Sequence, residues 1–313
     1  MNCSVTVTNL DSPLNVFSLI TYILLFFFGA TFNIIALWIF CCRMRKRTET
    51  TVFLMNLIFA DILIVLTFPF RIYTFLYGWN LSTGLCRTLT IFYFVNTYVS
   101  IFTISAIAFD RYLAINNPLK YKGSMSPMKA SIACCFFWTL CITIGILRIL
   151  YQTGAENPNT CFLKVNTEPN KMNLALAGIG FFLPMVFICF CFGRVMKNLR
   201  VKAPMDLKEQ HAFRKAMNIT ASNFVIFVVC FLPIHVGYIV RYVAESNHAP
   251  CHSLKSISVF IKIVSIIANA NCVLDTVCYY FAATEFRNAF SKQIQISPKC
   301  SFFCCQKLAY PHE

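Results

Sequence analysis

The sequence predicts an all-α membrane protein: a seven-transmembrane helix bundle with a short cytoplasmic amphipathic helix after helix seven. Three observations predict it. Hydrophobic residues make up 58% of the 313 and charged residues only 12%. Soluble domains carry about 25% charged residues, so no water-soluble core could hide this much apolar surface, and mean hydropathy is +0.65. The apolar residues fall into seven stretches, each close to the roughly 20 residues needed to cross a bilayer. The loops between them alternate between basic-rich and basic-poor. A soluble enzyme, a fibrous chain and a disordered chain are thereby excluded.

The spans run over about 16–41, 52–77, 86–115, 129–150, 173–197, 214–243 and 256–282. Span one lacks the basic lead of a cleavable signal, so it is expected to insert the chain itself. Residue 2 is Asn, not the Gly of a myristoylation motif. Span two carries Asp61 and Pro69, and span three runs from Cys86 to Arg111 and Tyr112. Trp138 lies in span four, Pro184 in span five, Pro233 in span six, and Asn271 with Asp275 in span seven. Membrane helices tolerate such prolines because neighbouring helices and side chains satisfy the freed backbone groups. The expected organisation is an extracellular N-terminus over 1–15, a helical domain over 16–282, and a cytoplasmic helix and tail over 283–313. That helix is expected to open near Glu285, Phe286 and Arg287.

Basic residues set the orientation. Arg43, Arg45, Lys46 and Arg47 share one face with Lys120, Lys122 and Lys129, with the Arg194–Lys215 connection, and with Arg287, Lys292, Lys299 and Lys307. The positive-inside rule makes that face cytoplasmic, and an odd number of spans puts the N-terminus outside. Asn2 and Asn80 then head outward-facing glycosylation sequons. The net charge of +15 serves the inner leaflet and cytoplasmic partners, not nucleic acid. A transporter would be expected to show two related halves with matching helix breaks, and the loops show no such repeat. An enzyme would need a nucleophile or metal motif, and none is present in the sequence.

Specific residues then mark each span in order. These are Asn33; Leu57 to Asp61; Cys86 with Asp110, Arg111 and Tyr112; Trp138; Pro184; Cys230 to Pro233; and Asp275 to Tyr279. The set resembles the rhodopsin-like (class A) G protein-coupled receptors along almost the whole chain. The segments Ala36–Met44, Thr48–Thr50, Cys230–Gly237 and Asn271–Asp275 narrow the resemblance to a branch that senses carboxylic acids and lysophospholipids. Thr276 stands where most of the class has a proline, as in that branch.

The resemblance implies a non-enzymatic plasma-membrane receptor surrounded by membrane lipid. Its implied ligand is an anionic small molecule, an aromatic or other carboxylic acid, with a lysophospholipid as the alternative. Its implied partners are a heterotrimeric G protein of the Gi/o or 12/13 families and arrestin. Asp110, Arg111, Tyr112, Asp275 and Tyr279 become the G protein switch, in which Arg111 is a permanent cation at the membrane edge. The base of span six reads Phe213, Arg214, Lys215, so it offers no acid to hold Arg111. Asp61, Asn96, Ser100, Asn271 and Asp275 become a pocket for an allosteric sodium ion, the one cofactor implied. A water cluster, or two acids sharing a proton, are the alternatives. Disulfides Cys86–Cys161 and Cys3–Cys251 are implied on the oxidising outer side. Cys300, Cys304 and Cys305 become palmitoylation candidates, against plain tail thiols.

The ligand is expected among Arg71, Arg148, Arg241 and Lys262, with Tyr93, Thr97 and His235 nearby. Phe68, Phe92, Phe94, Tyr98, Phe181, Phe231 and Tyr238 would supply aromatic walls. Guanidinium forks bind carboxylate or phosphate bidentately, although long basic chains at helix ends also simply snorkel. Thr97 stands where the acid-sensing relatives carry an arginine. Arg148 and Arg241 match them, whereas Arg71 matches the lysophospholipid-sensing ones.

Overall fold

The computed structural model describes residues 12–42, 48–116, 126–152, 161–162, 167–201 and 207–282. Seven helical spans are long and apolar enough to cross a membrane: Pro13–Cys42, Glu49–Tyr77, Thr83–Asn116, Pro127–Tyr151, Lys171–Asn198, Thr220–Ser246 and Cys251–Thr276. Most begin a few residues earlier than the apolar runs do. Polar caps explain the difference, because capping residues start a helix without adding hydropathy. Thr48 accepts from the Thr51 amide at 3.3 Å, and Asn170 accepts from the Asn173 amide at 3.1 Å. Span one starts at Pro13, so helix takes up the end of the expected 1–15 tail, and span seven starts at Cys251 rather than 256. The expected helix after span seven, and the cysteines of the tail, lie outside the described residues.

Three spans are not single regular helices. Span two divides into Glu49–Val65 and Phe68–Tyr77. Pro69 has no N–H to continue the ladder, and Thr67 Oγ1 donates to Ile64 O at 2.7 Å beside the break. Span five passes from Lys171–Ala175 through a π-helical segment, Leu176–Phe182, into Leu183–Val201. Span seven breaks at Ala270 between Cys251–Asn269 and Asn271–Ala282. Span six keeps Pro233 inside one long helix, Leu207–Ser246.

The main core joins spans one to six around Ile58, Val99, Ile101, Phe227 and Phe231, all at most 1% exposed. Phe17, Phe27, Ile132, Phe136 and Val186 point outward instead, as expected of side chains that meet lipid. Polar side chains knit the helices together. Trp138 Nε1 donates to Asn56 Oδ1, and Asn56 Nδ2 donates to Thr103 Oγ1, both at 2.7 Å. Three spans therefore meet at one buried amide. Asn33 Nδ2 donates to Cys272 O at 2.8 Å, which ties span one to span seven. Gly29 lets span one close on spans two and seven, since a Cβ there would stand 2.9 Å from Val65 Cγ2 and 3.3 Å from Cys272 Sγ.

Asn56→Leu leaves the Trp138 N–H and the Thr103 hydroxyl without that partner. A buried polar group left unmade costs about 1–3 kcal/mol. The variant is expected to unfold earlier in a thermal-shift assay of detergent-purified protein. Trp138→Phe, which removes only one donor, should lose less.

Candidate functional site

A small, partly open cavity lies between spans three, four, five and six, on the side of the Cys86–Cys161 bridge. Span three contributes Tyr93, Phe94, Thr97 and Tyr98, and span four contributes Arg148. Asn173 and Leu176 come from span five, and Ile234, His235 and Tyr238 from span six.

Local structure sets each of these side chains. The π-helical segment brings Gly180 so close to Tyr98 that a Cβ there would lie 2.5 Å from the tyrosine ring. Tyr98 packs in turn on Phe94, with ring centroids 4.6 Å apart. The Arg148 guanidinium stands 5.7 Å from the centre of the Phe94 ring, and its buried Nε has no hydrogen-bond partner. The Thr97 hydroxyl donates to Tyr93 O at 3.0 Å, so its proton is already used. His235 is 1% exposed and bonds Phe231 O through Nδ1 at 2.7 Å.

Other expected residues are placed elsewhere. Arg71 sits among three rings, with its Cζ 4.2 Å from the Phe162 centroid, 5.2 Å from Tyr93 and 5.5 Å from Tyr22. It adjoins the cavity through Tyr93. Arg241 does not line the cavity; its Nε binds Glu245 Oε1 at 2.8 Å, and that carboxylate is almost fully buried. Lys262 donates to Asn15 Oδ1 and stands 5.0 Å over Phe75. Phe68 and Phe231 are core residues rather than cavity walls. The sequence reading missed Asn173, Phe162, Asn15 and Tyr22. Asn15, Ser18 and Tyr22 recur along one buried side of span one, and that spacing was the available signal.

The disulfide Cys86–Cys161 is present. Cys251 is also disulfide-bonded, while its expected partner Cys3 lies outside the described residues. Asn80 is exposed, and its Oδ1 accepts from the Tyr73 hydroxyl at 2.6 Å. Asn2 lies outside the described residues.

A second polar set is buried deeper. Asp61, Asn96, Ser100, Asn271 and Asp275 are each at most 5% exposed. Asn96 Nδ2 donates to Ala60 O, and Asn271 Nδ2 to Asp275 Oδ1, both at 2.9 Å. Ser100 Oγ, Asn271 Oδ1 and Asp275 Oδ2 have no protein hydrogen-bond partner. Buried oxygens of this kind, beside carboxylates, are the donor set of a small hard cation. Their chemistry therefore fits a sodium ion, which when bound would supply positive charge to offset the acids.

At the opposite end, Arg111 binds Asp110 through Nε at 3.1 Å and through Nη2. Its Nη2 also donates to Thr50 Oγ1, and that hydroxyl donates to Asp110 Oδ2 at 3.2 Å. Thr50, at the start of span two, thus shares the holding of Arg111 with Asp110. Tyr112 packs on Phe109 and Phe190. The Tyr279 side chain lies outside the described residues.

These features define a seven-transmembrane signalling receptor rather than an enzyme. The sequence model of the family described as "7 transmembrane receptor (rhodopsin family)" matches residues 32–279, and the chain belongs to that family. It is 37% identical over 271 residues to G-protein coupled receptor 35 of Homo sapiens, covering 87% of this chain and 85% of the relative. It is 32% identical to G-protein coupled receptor 55 of Homo sapiens, covering 84% and 83%. To lysophosphatidic acid receptor 4 of Homo sapiens it is 28% identical, covering 86% and 75%. It is accordingly a multi-pass plasma-membrane protein that works with a ligand and a G protein.

The Asp110–Arg111–Thr50 network should hold the resting state. Thr50→Val removes two hydrogen bonds, and one such bond contributes about 1 kcal/mol, roughly fivefold in a two-state equilibrium. Basal nucleotide exchange on a G protein is expected to rise severalfold in this variant. Arg111→Ala at equal surface level should abolish agonist-driven exchange. Full signalling by Arg111→Ala would contradict this assignment.

Proposed function

We propose that the receptor binds an extracellular anionic small molecule, a carboxylic acid with an aromatic or other apolar body, in the cavity at Arg148. The observation that carries the reading is Arg148 itself, which lines an aromatic-walled cavity and whose buried Nε has no hydrogen-bond partner. A guanidinium held in such a place binds carboxylate or phosphate through charge-assisted hydrogen bonds. Phe94, Tyr98 and Tyr238 form the flat walls that a planar acid would fill. The cation stays available because no carboxylate lines the cavity among the described residues, whereas Arg241 is already matched by Glu245.

Binding on the extracellular side, with the N-terminus outside, would favour the receptor state whose cytoplasmic face engages a Gi/o or 12/13 G protein, with arrestin as a later partner. The ligand acts only through its differential affinity for the two states. Asn2 and Asn80 are proposed glycan sites, and Cys300, Cys304 and Cys305 proposed palmitoylation sites.

A second reading has its own observation. Arg71 is caged by three aromatic rings beside the same cavity, and one relative is named for lysophosphatidic acid. A lysophospholipid head would then sit at Arg71 and its chain would run into the cavity.

Arg148→Ala should weaken an acid agonist by roughly ten- to a hundredfold, because a hydrogen bond to a charged group contributes about 1.5–3 kcal/mol. Arg148→Lys should restore it only in part, since the planar fork is lost. Amidation of the agonist's carboxylate should cost the native receptor much and Arg148→Ala little. Equal losses in both would place the acid elsewhere. If Arg71→Ala instead gives the larger loss, with lysophospholipids outperforming aromatic acids, the second reading replaces the first.

We also propose that Asp61, Asn96, Ser100, Asn271 and Asp275 hold a sodium ion in the resting state. Agonist affinity in the native receptor is then expected to fall as sodium replaces choline at constant ionic strength. Asp61→Asn should flatten that dependence. A native receptor indifferent to sodium would point to a water cluster.

A further inference from the structure

We propose that His235 selects the ligand: its Nε2 accepts a hydrogen bond from a hydroxyl or N–H group on the same anionic molecule that Arg148 holds. The proposal rests on the reading of this cavity as an anion site. It narrows the ligand class to acids that also carry a hydrogen-bond donor on their apolar body.

The argument begins with how firmly the ring is held. His235 stacks on Phe181 with centroids 4.1 Å apart and planes 6° from parallel. Tyr98 and Tyr238 meet it edge-on at 5.9 and 6.0 Å. Nδ1 lies 2.7 Å from Phe231 O. These contacts fix both the plane and the rotation of the ring, so the direction of Nε2 is fixed as well.

The hydrogen bond also fixes where the ring proton sits. A carbonyl only accepts, so Nδ1 must donate. A ring with its single proton on Nδ1 presents Nε2 as an acceptor. Nε2 is buried and has no partner in the protein, although two tyrosines touch the ring. Protein interiors leave few polar atoms unanswered. This one belongs to a residue that lines the cavity.

Arg148, whose Nε is also buried and unpartnered, lines the same cavity. Two residues of opposite hydrogen-bonding sense therefore line one space, one a cationic donor and the other a neutral acceptor. Their complement is a molecule with an anionic acceptor at one point and a donor at another. Phe94 and Tyr98 line the space with them and favour a flat body. The chemical class is an aromatic acid bearing a free hydroxyl or N–H. An acid with the same body but no donor would leave Nε2 unanswered.

The experiment uses the full-length receptor in membranes with a G protein and reads nucleotide exchange. The probes are biphenyl-4-carboxylates with a hydroxyl at the 2′, 3′ or 4′ position, each paired with its methyl ether. At least one hydroxyl acid is expected to be about three- to tenfold more potent than its ether, the range of a neutral hydrogen bond. The gap should close in His235→Phe, which keeps a flat ring against Phe181 but has no acceptor. Arg148→Ala should weaken every acid and leave the gap in place. In nitrogen-15 histidine spectra of native receptor, the Nε2 resonance should move with the hydroxyl acid and not with its ether.

If acids activate the receptor but hydroxyl and ether are equipotent at all three positions, the proposal is overturned and the anion reading stands. If no acid activates or binds, both fall together. Should His235→Phe fail to reach the membrane, the hydroxyl–ether gap and the Nε2 resonance of the native receptor decide the question alone.

Discussion

Lipid offers no hydrogen bonds, so every polar atom inside the seven spans has to be answered within the protein or by what the protein binds. Most are answered internally. Asn56 serves Trp138 and Thr103, Asn33 serves Gly29 and Cys272, and Asn269 donates to Tyr22. The exceptions include Asn33 Oδ1, Arg71 Nε and Asn223 Nδ2, but most fall in two places. Arg148 Nε and His235 Nε2 share one cavity, and Ser100 Oγ, Asn271 Oδ1 and Asp275 Oδ2 belong to the deeper polar set. The accounting that holds the bundle together also shows where it is incomplete. Those are the places where a ligand or an ion would complete it.

The same accounting ranks the cations. By sequence alone, Arg148 and Arg241 are the principal donors expected, and Arg71 and Lys262 secondary ones. In the fold, the buried carboxylate of Glu245 takes up the charge of Arg241 within one helical turn. Separating such a pair leaves a buried charge uncompensated, which is strongly destabilising, so Arg241 has little to gain from an incoming anion. Lys262 is held by Asn15 and by the face of Phe75. Arg71 is surrounded by rings, whose attraction to a cation is worth about 0.5–2 kcal/mol, less than a desolvated ion pair. Arg71 and Arg148 each keep a buried Nε without a hydrogen-bond partner, but Arg148 touches one ring where Arg71 touches three, and Arg148 itself lines the cavity. Differences in compensation, not in charge, single it out.

How much of this was legible depended on what each feature costs in sequence. Seven apolar runs cannot be hidden, so the spans were readable, and caps such as Thr48 and Asn170 account for most of the boundary shifts. Pro69 was visible, but not that it divides span two into two helices. The π-helical turn at Leu176–Phe182 has no residue pattern of its own, yet it sets Gly180 against Tyr98. Arg241 and Glu245 stand four apart and were readable as a helical pair. Arg241 is expected from the sequence as a ligand donor instead, because hydropathy gives no sign that Glu245 is buried. Thr50 and Phe162 act across the fold, on Arg111 and Arg71 respectively. Contacts between distant segments of this kind leave no local trace.

Phe162 shows how the disulfide reaches the cavity. Its φ of 65° is a left-handed conformation that a bulky side chain rarely adopts unless its surroundings impose it. Two neighbours do so. Cys161, the preceding residue, is bonded to Cys86 at the start of span three, and the Phe162 ring meets Trp79 edge-on at 6.1 Å. Held in this way, the ring lies 4.2 Å from the Arg71 guanidinium, and Arg71 in turn stands 5.2 Å from the ring of Tyr93, a cavity wall. The covalent clamp therefore does more than staple a loop to a helix. Through one strained residue it sets the cation–π cage of Arg71, and through that cage one wall of the space that Arg148 and His235 share.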